Sequence, residues 1–243
     1  MTQDESHYAA GRTDPMAGGM KYADDSLLLS CHGTTHMDAL GHAYCDDQLY
    51  NGYPADTTIG GLREAGIDSL ARKGVVGRAV LVDLARRSGV RNLRMSHRIT
   101  LEHIQDALAA SRTEVRPGDV LVMRTGIFRV FYEDGSAAFY ENFDEPGVTY
   151  ERELIDFLCD NEIVGLGTDT LCNEQAHSSA LDADFPLHVA LQRNLGITFH
   201  EALWLEDWAD DCDADGVYDA FYVAAPLRIV QGTGGPMNPI VIK

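Results

Sequence analysis

The chain has 243 residues, 45% of them apolar or aromatic, which is enough for one generous hydrophobic core. With 19 basic against 38 acidic residues the net charge is -19, so nucleic-acid phosphates and an acidic membrane surface are both repelled. No run approaches the ~18 apolar residues of a membrane-spanning helix, and the opening Met1 to His7 lacks the basic and apolar parts of a signal peptide, so a cytoplasmic protein is expected.

Residues 1–25 are polar and Gly-rich with little periodicity, and are expected to form an arm that either wraps over the body or belongs to a subunit contact; residues 26–243 read as a single domain. The apolar run Ser26 to Ser30 leads into His32-Gly-Thr-Thr-His36-Met-Asp38-Ala-Leu-Gly-His42. Imidazole nitrogens and a carboxylate oxygen are the donors that zinc, manganese or iron accept, and a histidine left over can move protons. Any one of these histidines alone reads as a loop residue, but neutral histidines rarely gather without a ligand to share. On a straight strand His32 and His36 would lie ~13 Å apart, so the chain must bend between them, and either His36 with Asp38 or His32 with His36 then converges.

Farther along, Ile59 to Lys73 has apolar residues at mixed helical spacing, and Arg78 to Leu84 is a short buried strand. Thr100 caps a helix carrying Leu101, Ile104 and Leu108; Pro117-Gly118 is a turn; Asp119 to Thr125 is a strand ended by Gly126. Thr149 is predicted to open a helix with Leu154, Ile155 and Leu158 on its apolar face, followed by the strand Ile163 to Gly167. Asp169, just after that strand, is either a support for the site or a strand cap. Pro186 and Gly196 bracket a further helix. Three strands then follow: Ile197 to Phe199, Ala220 to Ala225 and Leu227 to Val230. Asp211-x-Asp213-x-Asp215-Gly216 copies half of a calcium loop but has Tyr222 where the bidentate glutamate belongs, so it reads as an acidic turn. Strands and helices interleave without the even beat of a doubly wound sheet. The fold class is therefore a mixed α/β domain with a partly closed central sheet and flanking helices.

A short segment supplies only part of a coordination shell, so a partner elsewhere is needed. His188, early in the helix begun by Pro186, and Glu201, after the strand that follows Gly196, are the candidates. The five cysteines are scattered and lack a Cys-x-x-Cys pair, and read as reduced thiols. Tyr44, Tyr50, Tyr53, Trp204 and Trp208 lie near the proposed ligands in sequence and could line a flat pocket.

The His32 to His42 cluster resembles the His-x-Gly-Thr-His-x-Asp-x-Pro-x-His signature of the metal-dependent cyclase-like hydrolases, the family of kynurenine formamidase and isatin hydrolase. The segments Leu49 to Gly52, Pro186 to His188, Leu195-Gly196 with Glu201, and the tail Ala225 to Pro239 extend the resemblance over nearly the whole chain. It implies a swivelling β/β/α-like fold. It also implies His32, His36 and Asp38 as metal ligands, His42 as the catalytic histidine, and His188 with Glu201 as holders of a second ion bridged by Asp38. Thr34 stands where the signature has Gly, Leu40 where it has Pro, and the His188 to Glu201 spacing is one residue longer than in the formamidases. The strand-bearing segment with which members usually begin is not found before Met1, so a trimmed chain or an opening supplied by a partner subunit is expected.

The expected function is a hydrolase that uses metal-activated water, with one or two Mn2+ or Zn2+ per chain, to cleave an amide C-N bond of a small aromatic or cyclic substrate. Alternatives are a cyclase or lactone hydrolase in a biosynthetic pathway, and a non-catalytic, metal-stabilised subunit. A homodimer or larger homo-oligomer is expected, with no nucleic-acid or membrane partner.

Overall fold

The computed structural model describes residues 17–20 and 27–243. Most of the expected arm, residues 1–25, lies outside the described residues. Cys31–Lys243 forms one compact unit, and the chain before it is a separate one, in which the short turn Ala17–Gly19 and the exposed Leu27 and Leu28 are described.

A mixed, curled sheet of eight strands organises the larger unit. In chain order these are β1 (His36–Asp38), β2 (Val75–Asp83), β3 (Val120–Arg124), β4 (Gly165–Thr168), β5 (Thr198–Glu201), β6 (Asp219–Ala224), β7 (Gly234–Pro236) and β8 (Ile240–Ile242). Their spatial order is β7-β1-β5-β4-β3-β2-β6-β8. The centre, β5-β4-β3-β2, is parallel, whereas β1 and β7 at one end and β6 and β8 at the other run antiparallel. β3 and β4 are buried along their whole length, which explains why both read as short continuous apolar runs rather than alternating ones.

Each face of the sheet has its own core. On one side Val80, Val82, Leu121, Met123 and Leu166 pack against Ile104, Leu108, Leu154 and Leu158; on the other, Ala79, Leu81, Val122 and Tyr222 pack against Trp208, Ala209 and Cys212. Helices α1 (Ile67–Ala71), α2 (Leu84–Arg87), α3 (Leu101–Ser111), α4 (Arg152–Asp160) and α5 (Glu206–Asp215) flank the sheet, and two further short ones, Ile127–Arg129 and Ser136–Tyr140, follow β3. As predicted, Thr100 caps α3, with its hydroxyl accepting from the His103 N–H while the His103 ring accepts from Thr100 N–H.

Several expectations need correction. Helical structure in Ile59 to Lys73 shrinks to α1, because the glycines at 60, 61 and 66 hold the preceding residues in turns. Thr149 does not open α4; its hydroxyl donates to Ile99 O, and the N-cap is Glu151, whose carboxylate accepts from Leu101 N–H of the neighbouring helix. Leu227 to Val230 is a loop rather than a strand, its exposed Leu227 tied by its N–H to Pro236 O. The acidic turn at 211–216 is the end of α5, closed by Gly216 in the left-handed region.

Candidate metal centre

Strand alternation builds the heart of the site. His36 and Asp38 are two apart on β1 and so share a face, and β1 pairs with β5 in the register that sets His36 opposite Glu201. Three of the expected ligands thereby meet on one face, while Met37 and His200, the next pair in register, turn to the other. There His200 is fully buried, bonded to the Thr198 and Tyr222 hydroxyls, and burial lowers its pKa to about 3. It is a neutral core histidine.

The remaining residues come from loops. His32 lies in the turn before β1, where the bend demanded by the sequence brings its ring centroid to 4.9 Å from that of His36. His188 opens a π-helical segment, His188–Arg193, tied to the end of β1 by Gln192 donating to Ala39 O.

Distances converge on two carboxylates. His32 Nδ1 lies 2.9 Å and His36 Nε2 3.3 Å from Asp38 Oδ1; His36 Nε2 is 3.3 Å from Glu201 Oε2. His188 Nε2 sits 3.7 Å from Asp38 Oδ2 and 3.8 Å from Glu201 Oε1. Among the described residues two triads have donor atoms mutually within 4.8 Å, His32-Asp38-His42 and His36-Asp38-Glu201, with Asp38 common to both.

The outward nitrogen of each inner histidine is pinned. His36 Nδ1 donates to Thr34 O at 2.7 Å, His188 Nδ1 to Glu174 Oε1 at 2.6 Å, and His32 Nε2 meets Thr233 Oγ1 at 3.0 Å. Each ring is thus fixed with its other nitrogen facing Asp38 or Glu201, the arrangement that outer partners impose on metal-binding imidazoles. His42 differs. Its ring stacks on His32 at 4.2 Å, and among the described residues no hydrogen bond pins it.

Four supporting residues were not singled out in the sequence, although Thr233 and Gly234 lie within the tail that carries the resemblance. Glu174, 3% exposed, accepts from the His188 ring and from the backbone N–H groups of Leu187 and His188. Asn173 donates its backbone and side-chain N–H to Glu201 Oε1. Thr233 orients His32, and Gly234 lets the β7 backbone approach it, since a Cβ there would fall 2.6 Å from the His32 ring. Glu174 and Asn173 sit in the loop after β4, and only a 3.6-period or alternating pattern would have marked them. Asp169, left open between support and cap, accepts from Thr125 N–H, the Thr125 hydroxyl and Gly126 N–H, and so closes the end of β3.

Electrostatics here are unbalanced. Burial acts to lower the His36 pKa, but the adjoining Asp38 and Glu201 carboxylates outweigh it and raise it to about 10. Burial acts to raise that of Asp38, and the surrounding histidines outweigh it, holding this carboxyl well below the usual range. Burial and the Asp38 charge raise Glu201; burial lowers His42 and favours its neutral form. Among the described residues, His36 Nε2 and both Asp38 oxygens have no hydrogen-bond partner, although His32 Nδ1 lies 2.9 Å from Asp38 Oδ1. Orphaned buried acceptors this close together are costly unless a cation meets them. Mixed imidazole and carboxylate donors around a shared Asp38 fit a divalent ion such as zinc or manganese.

Beside this cluster opens a cavity of about 680 Å³. His32, His42, His188 and Glu201 form one wall, and Tyr44, Leu171, Cys172 and Phe185 line the rest. Of the aromatics expected near the ligands only Tyr44 lines this cavity. Tyr50 packs on Gly196, Tyr53 on the core, and Trp204 and Trp208 line a different depression.

A family model described as "Putative cyclase" matches residues 3–175. Isatin hydrolase from Roseibium aggregatum is 25% identical over 231 residues, covering 92% of this chain and 76% of the relative; Cyclase-like protein 3 from Oryza sativa subsp. japonica is 26% identical over 229 residues, covering 94% and 68%. A crystal structure of a novel cyclase superposes with a TM-score of 0.87 at 31% identity, covering 99% of this chain and 79% of that one.

Proposed function

We propose, on the premise that the chain belongs to the cyclase family matched over residues 3–175, that it is a metal-dependent hydrolase of a small substrate whose scissile group is an amide C-N bond. The observation that carries this reading is the set of inward-facing, pinned imidazoles around the orphaned Asp38 carboxylate. His32, His36, Asp38, His188 and Glu201 would hold one or two divalent ions. When bound, such an ion supplies a water acidic enough to ionise near neutrality and polarises a carbonyl.

The residues divide the remaining work. Glu174, Asn173 and Thr233 hold the ligands in orientation, so little rearrangement is needed as charge develops. His42, neutral and unpinned at the rim of the cavity, takes the proton of the attacking water on its imidazole and returns it to the departing nitrogen. Leu171 and Phe185 narrow the cavity against bulk water. The relative named isatin hydrolase supports a cyclic amide, since isatin is a ring-fused lactam.

The test is turnover of matched aryl formamides, lactams and lactones by protein loaded with manganese or zinc. Hydrolysis of formamide or lactam supports the amide reading; turnover of lactones alone moves the protein to ester chemistry, and retention of metal with no turnover of any class makes it a non-catalytic subunit. The proposal extends to a homo-oligomer. Val76, Phe221 and Ile240, on the adjacent strands β2, β6 and β8 at one end of the sheet, are about half exposed and are better covered by a second copy; a monomeric mass in light scattering at micromolar concentration counts against it.

A further inference from the structure

Beyond Leu171 lies a second, smaller cavity of about 120 Å³. Leu171 lines it as well as the large cavity beside the histidines, so the two spaces adjoin at this residue. Its floor is Gly33 to Thr35, the stretch between His32 and His36. The opposite wall is aromatic. Phe128, Phe131 and Tyr140 face it from the segment after β3, with Phe131 and Tyr140 rings 6.4 Å apart.

These rings are not simply core. Tyr140 is 53% and the adjoining Tyr132 64% exposed, although packing would normally draw such area inward. A π-helical segment, Val130–Asp134, carries Phe131 and Tyr132, the helix Ser136–Tyr140 ends on Tyr140, and π turns recur at functional sites. Among the described residues no charged side chain lines the space, in contrast to the metal-side cavity with its histidines and acids. Its volume is close to the ~150 Å³ of an apolar cavity that accepts benzene.

We infer that this cavity is a subsite for one aryl ring of the substrate, carried on a short linker that passes Leu171 from the scissile group. The inference rests on the hydrolase reading above and adds to it the substrate's shape: a flexible arylalkyl arm rather than a compact fused ring alone.

Hydroxamates test it by binding rather than turnover. Acetohydroxamate, hexanohydroxamate and 3-phenylpropionohydroxamate are titrated calorimetrically into protein loaded with manganese or zinc. The phenyl arm is expected to tighten binding at least tenfold over acetohydroxamate, and the hexyl chain to gain less. Phe131→Ala and Tyr140→Ala, the latter at an exposed site that tolerates truncation, should each remove most of that gain while leaving acetohydroxamate affinity, metal content and melting temperature unchanged. A gain that survives both substitutions overturns the subsite, and an equal gain from hexanohydroxamate overturns its aryl assignment. Failure of acetohydroxamate itself to bind the loaded protein sinks the hydrolase reading instead, which keeps the two failures apart.

Discussion

Two buried clusters of charge lie in the same sheet and are solved differently. At the β2-β3 corner Arg124, 3% exposed, donates to Asp83 at 2.7 Å and to both Glu206 oxygens at 2.9 and 2.8 Å, while Asp83 also accepts from the Arg86 side chain and caps α2. Every charge there has a fixed partner of opposite sign. At the β1-β5 end no arginine or lysine meets the carboxylates among the described residues: Glu201 and Glu174 have imidazoles and amide N–H groups beside them, and Asp38 goes without a hydrogen bond. The first cluster is complete as the chain folds; the second calls for a cation from outside. Burial of charge alone therefore does not mark a functional site, whereas burial without internal compensation does.

Matched substitutions break or sharpen that contrast most strongly. Asp38→Ala should abolish metal retention and lower turnover at least ~10³-fold, since Lewis-acid catalysis is worth several kcal/mol. Asp83→Ala should retain the metal and cost about 3–5 kcal/mol of stability, the usual penalty for stranding one partner of a buried ion pair. Elemental analysis, kinetics and thermal melts on the pair read both outcomes; metal loss from Asp83→Ala would erase the distinction.

The next effect is one of linkage. Without an ion His36 keeps a proton, its pKa being raised to about 10, and a ligand nitrogen must lose that proton to bind metal. Metal uptake at pH 7.5 should therefore release protons, and apparent affinity should climb with pH, ~10-fold per unit from this group, until about pH 10. Proton release followed in weak buffer, beside a chelator competition at several pH values, measures it. A pH-independent affinity would mean that His36 is not displaced and stands outside the coordination shell. Chelation should also lower the melting temperature, because the Asp38 and Glu201 charges are then left facing one another.

How legible was this in the sequence? The centre of the candidate site was visible because it is local: His36 and Asp38 are two apart on one strand, and the bend at His32 followed from distance alone. The buried strands β2, β3 and β4 and the Thr100 cap were visible for the same reason, since periodicity and capping are read over a few residues. What failed was either long-range or masked by composition. Thr233 and Gly234 reach His32 from 201 and more residues away, and Glu174 reaches His188 from a loop without a pattern. α5 was hidden because only Trp208, Ala209 and Cys212 of its acid-rich residues face the core. The predicted strand at Leu227 to Val230 had the right composition but no neighbouring edge in register, which no local pattern reveals.

His42 separates ligand from base. It shares a triad with His32 and Asp38, yet lacks the pin that the other three rings have. His42→Ala should keep the metal and most of the stability while turnover falls ~10²-fold, the scale of lost general acid-base catalysis. Metal loss equal to that of Asp38→Ala would make His42 a ligand and leave the proton without a carrier.

The smallest effect tests the pins themselves. Glu174→Gln keeps the volume and an acceptor oxygen but removes the charge opposite His188 Nδ1, and it replaces one of the carboxylate oxygens that hold the Leu187 and His188 N–H groups. Loss of an outer partner of this kind typically weakens metal affinity 10–100-fold. Glu206→Gln, the counterpart at the compensated corner, should leave affinity unchanged, because Arg124 still has Asp83. Titration of both variants with zinc against a competing chelator decides the matter. If Glu174→Gln binds as tightly as the parent, His188 is held by its π-helical backbone alone, and the contrast between the two clusters reduces to Asp38.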